Sequence, residues 1–93
     1  CGNASTARGL INCLMQKGWR VPEQISVVAE DATRICVEEH PQITGAHADP
    51  EKIGTTAAEL LMRSGGRQED LILSDVILPS HLTIRETSAV PPA

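Results

Sequence analysis

Residues 21–31, VPEQISVVAED, limit what this chain can fold into more than any other stretch. A Pro-marked turn leads into the largely apolar and β-branched run 25–28, interrupted by Ser26, which soon gives way to two acids, Glu30 and Asp31. A short run with apolar residues at consecutive positions reads as a strand buried on both faces. Strands of that kind belong to parallel sheets covered by helices. Ligands of open α/β sheets bind beyond the carboxyl ends of the strands, so the two acids stand where a pocket is expected.

The flanking residues supply the helices that such a strand needs. Ser5 or Thr6 can cap a helix running to about Lys17, with Leu10, Ile11, Leu14 and Met15 at helical spacing. Gly18 is its stop signal, with Lys17 near the negative end of the dipole. The opening CGNA has no cap signal and reads as the end of a strand. Beyond Asp31, residues 32–40 suit a short helix closed by Pro41, and residues 43–47 a second strand. Asp49-Pro50 begins another helix, with Pro in the tolerated first position and Glu51 near the positive pole. Ile53, Ala57, Leu60 and Leu61 give that helix an apolar stripe to about Arg63, before Ser64-Gly65-Gly66 breaks it. Short apolar runs follow at 71–73 and 76–78, Pro79 separates them from the segment 82–85, and the tail SAVPPA reads as a frayed terminus. Strands alternating with helices make the fold class α/β.

Composition narrows the function. The 93 residues make one domain at most, and Trp19 is their lone aromatic, so a sugar or base pocket receives little stacking. A net charge of −4 speaks against direct contact with nucleic acid. No apolar run approaches the roughly 18 residues of a membrane span. Cys1, Cys13 and Cys36 have no CxxC spacing and no histidine partner motif, so free thiols in a reducing compartment are expected, with no metal site. No signal peptide is visible, which says little for a chain that begins at Cys1. There is no G-x-S-x-G elbow, no P-loop and no G-x-G-x-x-G after a strand. Gly65-Gly66 follows a helix rather than opening one, so it is a poor phosphate cradle. No catalytic residue and no cofactor is expected.

The segments CGNASTARGL, GWRVPEQISVVAED, PQITGAHADPEKIGTTAAELL and LPSHLTIRETS, in that order, resemble the C-terminal part of LacI/GalR-type transcriptional regulators. VP-x-x-ISVV and LP-x-x-L-x-x-R-x-(S/T) are the most specific pieces. The resemblance implies a partial periplasmic-binding-protein-like domain: a mostly parallel sheet with flanking helices, part of two α/β subdomains that close on a small effector. It implies that residues 1–47 and 71–88 belong to the C-terminal subdomain and that the helix within 48–70 belongs to the N-terminal one, where its apolar stripe needs a cover. It also implies a helix-turn-helix and the rest of the effector domain upstream, so that this chain is a fragment and meets DNA only through a domain it lacks.

Carried over residue by residue, Asn3 matches the Asn of the (C/A)-x-N-D motif that lines the effector cleft, with Ala4 replacing the following acid. Asp31 matches the acid of the GFDD or GYDD motif, which hydrogen-bonds an effector hydroxyl or ring nitrogen; Glu30 replaces the aromatic there and Ala32 the second acid. Ala48 stands where many members have Gln. Asn3 and Asp31 are therefore the candidate ligand-binding residues. Plainer roles stay open: Asp31 or Asn3 as helix caps, Trp19 as a plug over a helix end, Arg85 in a structural ion pair, and His40, His47 and His81 as surface histidines. The resemblance further implies a small-molecule effector, sugar-like or else a nucleobase or other small molecule, a cytoplasmic location, and dimerisation through faces where Arg8 and Glu39 could pair across a two-fold. The alternative with the same fold is the sugar-binding protein of an ABC transport system.

Overall fold

The computed structural model describes residues 1–31, 33–65 and 75–92. They form α1 (Ala4–Gln16), β1 (Val28–Glu30), α2 (Thr33–Glu38), β2 (Thr44–His47), α3 (Pro50–Ser64) and β3 (His81–Thr83). The chain divides into two compact units, Cys1–His47 with His81–Ala93, and Ala48–Ser80.

The first unit is built on a small mixed sheet of order β1-β2-β3. β1 runs parallel to β2, with Ala29 opposite Gly45, and β2 antiparallel to β3, with His47 opposite His81. On the other edge of β1, the Cys1 amino group donates to Val28 O at 2.7 Å and Glu30 N donates to Cys1 O at 3.2 Å, a parallel pairing that bears out CGNA as a strand's end.

β1 starts three residues later than the apolar run suggests. Residues just before it pair instead with the C-terminal segment: Val27 N donates to Thr87 O at 2.8 Å, and Ala89 N to Ser26 Oγ at 3.2 Å. The tail is thus tied down through Ala89 rather than frayed from Ser88. β1 is also buried on one face only, with Ala29 inside and Val28 and Glu30 exposed, so Glu30 belongs to the strand's outer face and not to a pocket.

α1 begins at Ala4 because Asn3, in an extended conformation, caps it: Asn3 Oδ1 accepts from Thr6 N at 2.8 Å. Ser5 and Thr6 lie inside the helix. Its buried stripe is Ala4, Ala7 and Ile11, with Leu14 partly covered, while Leu10 and Met15 are exposed. Ala4 and Ala7 of α1 and Ala29 of β1 share one buried core with Ile11, Val21, Val27, Cys36 and Ile43. After Gln16 the chain leaves through Gly18 at φ 87°, a left-handed turn that suits glycine.

Two polar fixtures lock this unit. Thr87, fully buried, accepts from Thr44 N at 2.9 Å and donates to Val27 O at 2.6 Å, joining β2 to the residues before β1. Arg8 on α1 donates to the carbonyls of Pro41 (2.8 Å), Glu39 (3.1 Å) and Ile35 (3.4 Å), satisfying groups at the end of α2.

In the second unit, α3 has strong end signals. Asp49 Oδ1 accepts from Glu51 N at 3.0 Å, Pro50 opens the helix, Arg63 lies in its last turn, and Gly65 closes it at φ 64°. Ile53, Leu61 and Met62 are exposed on it. The apolar run 76–78 carries no regular element, and the run 71–73 lies outside the described residues.

Candidate functional site

Asp31 follows directly on β1, and its backbone N donates to Ala46 O at 2.9 Å, extending the pairing with β2 by one residue. That contact holds the Asp31 side chain close over Gly45. A Cβ at position 45 would lie 2.7 Å from Asp31 Cβ and 3.1 Å from its Cα and Cγ, so only glycine allows the approach. The carboxylate is 0% exposed.

A buried carboxylate needs compensation, and the C-terminal segment brings it. Arg85, two residues past β3, places Nη2 3.0 Å from Asp31 Oδ2, with its side chain 10% exposed. The same guanidinium donates through Nη1 to Ile43 O at 2.6 Å, and Arg85 N donates to Thr44 Oγ1 at 2.9 Å. Arg85 is therefore fixed at three points. His47, the last residue of β2, sets Nδ1 3.4 Å from Asp31 Oδ2 without hydrogen-bond geometry. The ring of His81 stands across from it, centroids 6.4 Å apart.

The cluster is incomplete. Asp31 Oδ1 and His47 Nδ1 are both buried without a well-formed hydrogen bond, although the Cys36 thiol reaches the carboxylate as a weak donor. Burial pushes the Asp31 carboxyl up, but the hydrogen bonds from Arg85 and Cys36 and the charges of Arg85 and His47 outweigh it. The net result holds the group below the ordinary carboxylate range. Asp31 is thus an ionised acceptor, partly satisfied. Among the described residues no group of three or more His, Cys, Asp or Glu is placed to hold a metal ion.

Asn3 sits near the same end of the sheet. Cys1 is paired beside Ala29, so Asn3 and Asp31 each come two residues beyond paired positions on neighbouring segments. Asn3 is exposed, and its Oδ1 is committed to the α1 cap, which leaves the amide NH2 as the group a ligand could meet. No hydrogen bond among the described residues joins the two side chains.

Other sequence candidates lie elsewhere. Trp19 is 48% exposed beyond the end of α1, where it lines an open depression with Met15, Arg20 and Glu23. His40 pairs with Glu86 at 2.6 Å. Arg8 and Glu39 come within 4.0 Å of each other inside one chain. The Arg8 guanidinium also donates to the carbonyls ending α2 in its own chain. The contribution of His47 and His81 was not visible as a motif, because antiparallel pairing of β2 with β3 is what unites them.

This arrangement can be set beside known proteins. Residues 1–88 match the family model described as a periplasmic binding protein-like domain. The chain belongs to that family. The HTH-type transcriptional repressor PurR of Vibrio atlanticus is 32% identical over 97% of this chain and 26% of its own length. The NTD biosynthesis operon regulator NtdR of Bacillus subtilis is 31% identical over 94% of this chain and 26% of its own. Among solved structures, a LacI family transcriptional regulator from Bifidobacterium animalis superposes with a TM-score of 0.77 at 27% identity, covering 99% of this chain and 33% of that one. A transcription regulator from Lactobacillus plantarum gives 0.80 at 28% identity, covering 95% of this chain and 34% of that one. The chain thus carries part of the periplasmic-binding-protein-like domain as LacI-type regulators use it, and it spans about a quarter of the length of these curated relatives. No helix among its described residues is long and apolar enough to cross a membrane.

Proposed function

We propose that this chain is the effector-binding and self-associating portion of a LacI-type transcriptional regulator, and that it takes a small, polar, sugar-like molecule through Asn3 and Asp31. The first unit is then the C-terminal subdomain, and α3 belongs to the N-terminal one. DNA contact falls to a part of the regulator outside these residues, in keeping with their net charge of −4. The reading carries a cytoplasmic location and no catalytic activity. Relatives with regulator names favour it over a transport protein of the same fold.

One observation supports the site above the others: the buried, ionised carboxylate of Asp31 has an oxygen that lacks a well-formed hydrogen bond. Such acceptors are costly, and folded proteins usually satisfy them. A hydroxyl or N–H of a ligand would complete this one by a charge-assisted hydrogen bond.

Calorimetric titration of the full-length protein with a panel of aldopentoses and aldohexoses tests the reading. Asn3→Ser keeps a side chain that caps α1 equally well but removes the amide. It is expected to weaken sugar binding about tenfold, the loss of one good hydrogen bond, with the melting temperature unchanged. Asp31→Asn should weaken binding further. Wild-type affinity in both variants would rule out this site.

A further inference from the structure

We infer that His47 is a specificity-determining residue of this site, forming with Asp31 a subsite that accepts one hydroxyl group of the effector. The inference rests on the effector-binding reading above and adds a residue and a chemical selectivity to it.

Asp31 Oδ1 and His47 Nδ1 are both buried without a well-formed hydrogen bond, the Cys36 thiol being only a weak donor to the carboxylate, and they belong to side chains that already approach to 3.4 Å through Asp31 Oδ2. A carboxylate oxygen can only accept. Next to a carboxylate, the imidazole tautomer with the proton on Nδ1 is the favoured one, since two facing lone pairs repel, so Nδ1 is a donor in search of an acceptor. A hydroxyl is the smallest group that donates once and accepts at the same oxygen. One hydroxyl therefore satisfies both atoms, whereas a methylene satisfies neither and an ether oxygen cannot donate to Asp31.

Entry to the subsite points to the same residue. The carboxylate is 0% exposed, so a neighbour must move before a ligand reaches it. Arg85 is held by Asp31 Oδ2 and by Ile43 O, and its backbone by Thr44. Cys36 is wholly buried in the core. His47 is 31% exposed and has no hydrogen bond at Nδ1 to keep its ring in place. His47 is the contact of Asp31 that can turn aside and close again on a hydroxyl.

Sites built to hydrogen-bond a hydroxyl reject analogues that lack it far more strongly than apolar pockets reject extra bulk. The test is calorimetry on the full-length protein with D-ribose, D-galactose and D-glucose, followed by the mono-deoxy analogues of each sugar that binds. The wild type is expected to lose about tenfold or more in affinity toward one particular deoxy analogue. His47→Phe, which keeps an aromatic ring of somewhat larger size and removes the nitrogens, should bind the parent sugar as weakly as that analogue, so the discrimination collapses. His47→Gln, which restores an N–H donor, should recover part of it, and this partial rescue separates a binding role from a folding defect. If His47→Phe still discriminates as the wild type does, the inference about His47 is overturned while effector binding stands. If the wild type binds no sugar, the effector reading itself fails and the hydroxyl subsite falls with it.

Discussion

Among its described residues the first unit contains two histidine–carboxylate contacts, and they differ in an instructive way. His40 and Glu86 meet at 2.6 Å with side chains 76% and 48% exposed, and Glu86 Oε1 also accepts from Gln42 N at 2.9 Å. His47 and Asp31 meet at 3.4 Å, with the carboxylate wholly buried and Arg85 beside it. By distance alone the first contact is the stronger. Solvent reverses that order, because water competes for exposed charges and screens them, while a buried charge with a missing partner is left in a poor dielectric. The exposed contact joins the residues before β2 to those that follow β3, whereas the buried one joins the end of β2 to the end of β1. Only the buried one stands close to the carboxyl end of β1.

This contrast yields predictions that can break it. The largest effect belongs to Asp31→Ala, which leaves the Arg85 guanidinium buried without its acid; chemical denaturation should record a loss of about 3–5 kcal/mol. A loss below that of an ordinary surface substitution would show the pair to be solvated. Gly45→Ala comes next, since its methyl group would press on Asp31 Cβ and displace either the strand or the acid; a cost of about 1–3 kcal/mol is expected from the same measurement.

Acid titration should separate the two contacts further. The folded Asp31 carboxyl lies below its unfolded value, so its contribution is fully present above the ordinary carboxylate range and is lost as pH falls below about 4. Melting curves between pH 7 and 3 should therefore fall on the acid side, and Asp31→Asn should flatten that limb. Glu86 is also held down, first by Gln42 N and then by His40, but it is exposed. Glu86→Gln should accordingly be the smallest effect, with a melting temperature at pH 7 close to that of the wild type. A larger drop from Glu86→Gln than from Gly45→Ala would invert the argument.

The parts of this fold that were legible in the sequence are those set by local chemistry. Asp49-Pro50, Glu51 and Gly65 mark both ends of α3, and the run before Pro41 marks α2. β2 needed only its own short run. What local pattern could not supply was long-range pairing. Residues 25–27 look like the heart of β1, yet Val27 pairs with Thr87 and the strand proper begins at Val28. The cap that Asn3 places on α1 is only one of several that the sequence allows, since Ser5 and Thr6 offer equally good capping oxygens. Asp31 was placed correctly at the end of β1, whereas its partners come from 16 residues away in His47 and 54 residues away in Arg85. The motif ending in R-x-(S/T) acquires a physical meaning only in three dimensions, with Arg85 neutralising Asp31 and Thr87 bridging Thr44 to Val27.

The most direct test of the central claim is a crystal structure of the full-length protein with a bound sugar. The account predicts a ligand hydroxyl within hydrogen-bonding distance of Asp31 Oδ1, with the His47 ring turned to meet it and the Arg85 contact to Oδ2 retained. A sugar bound elsewhere, with Asp31 still closed off behind His47 and Arg85, would contradict it and leave the cluster a purely structural fastening of the sheet.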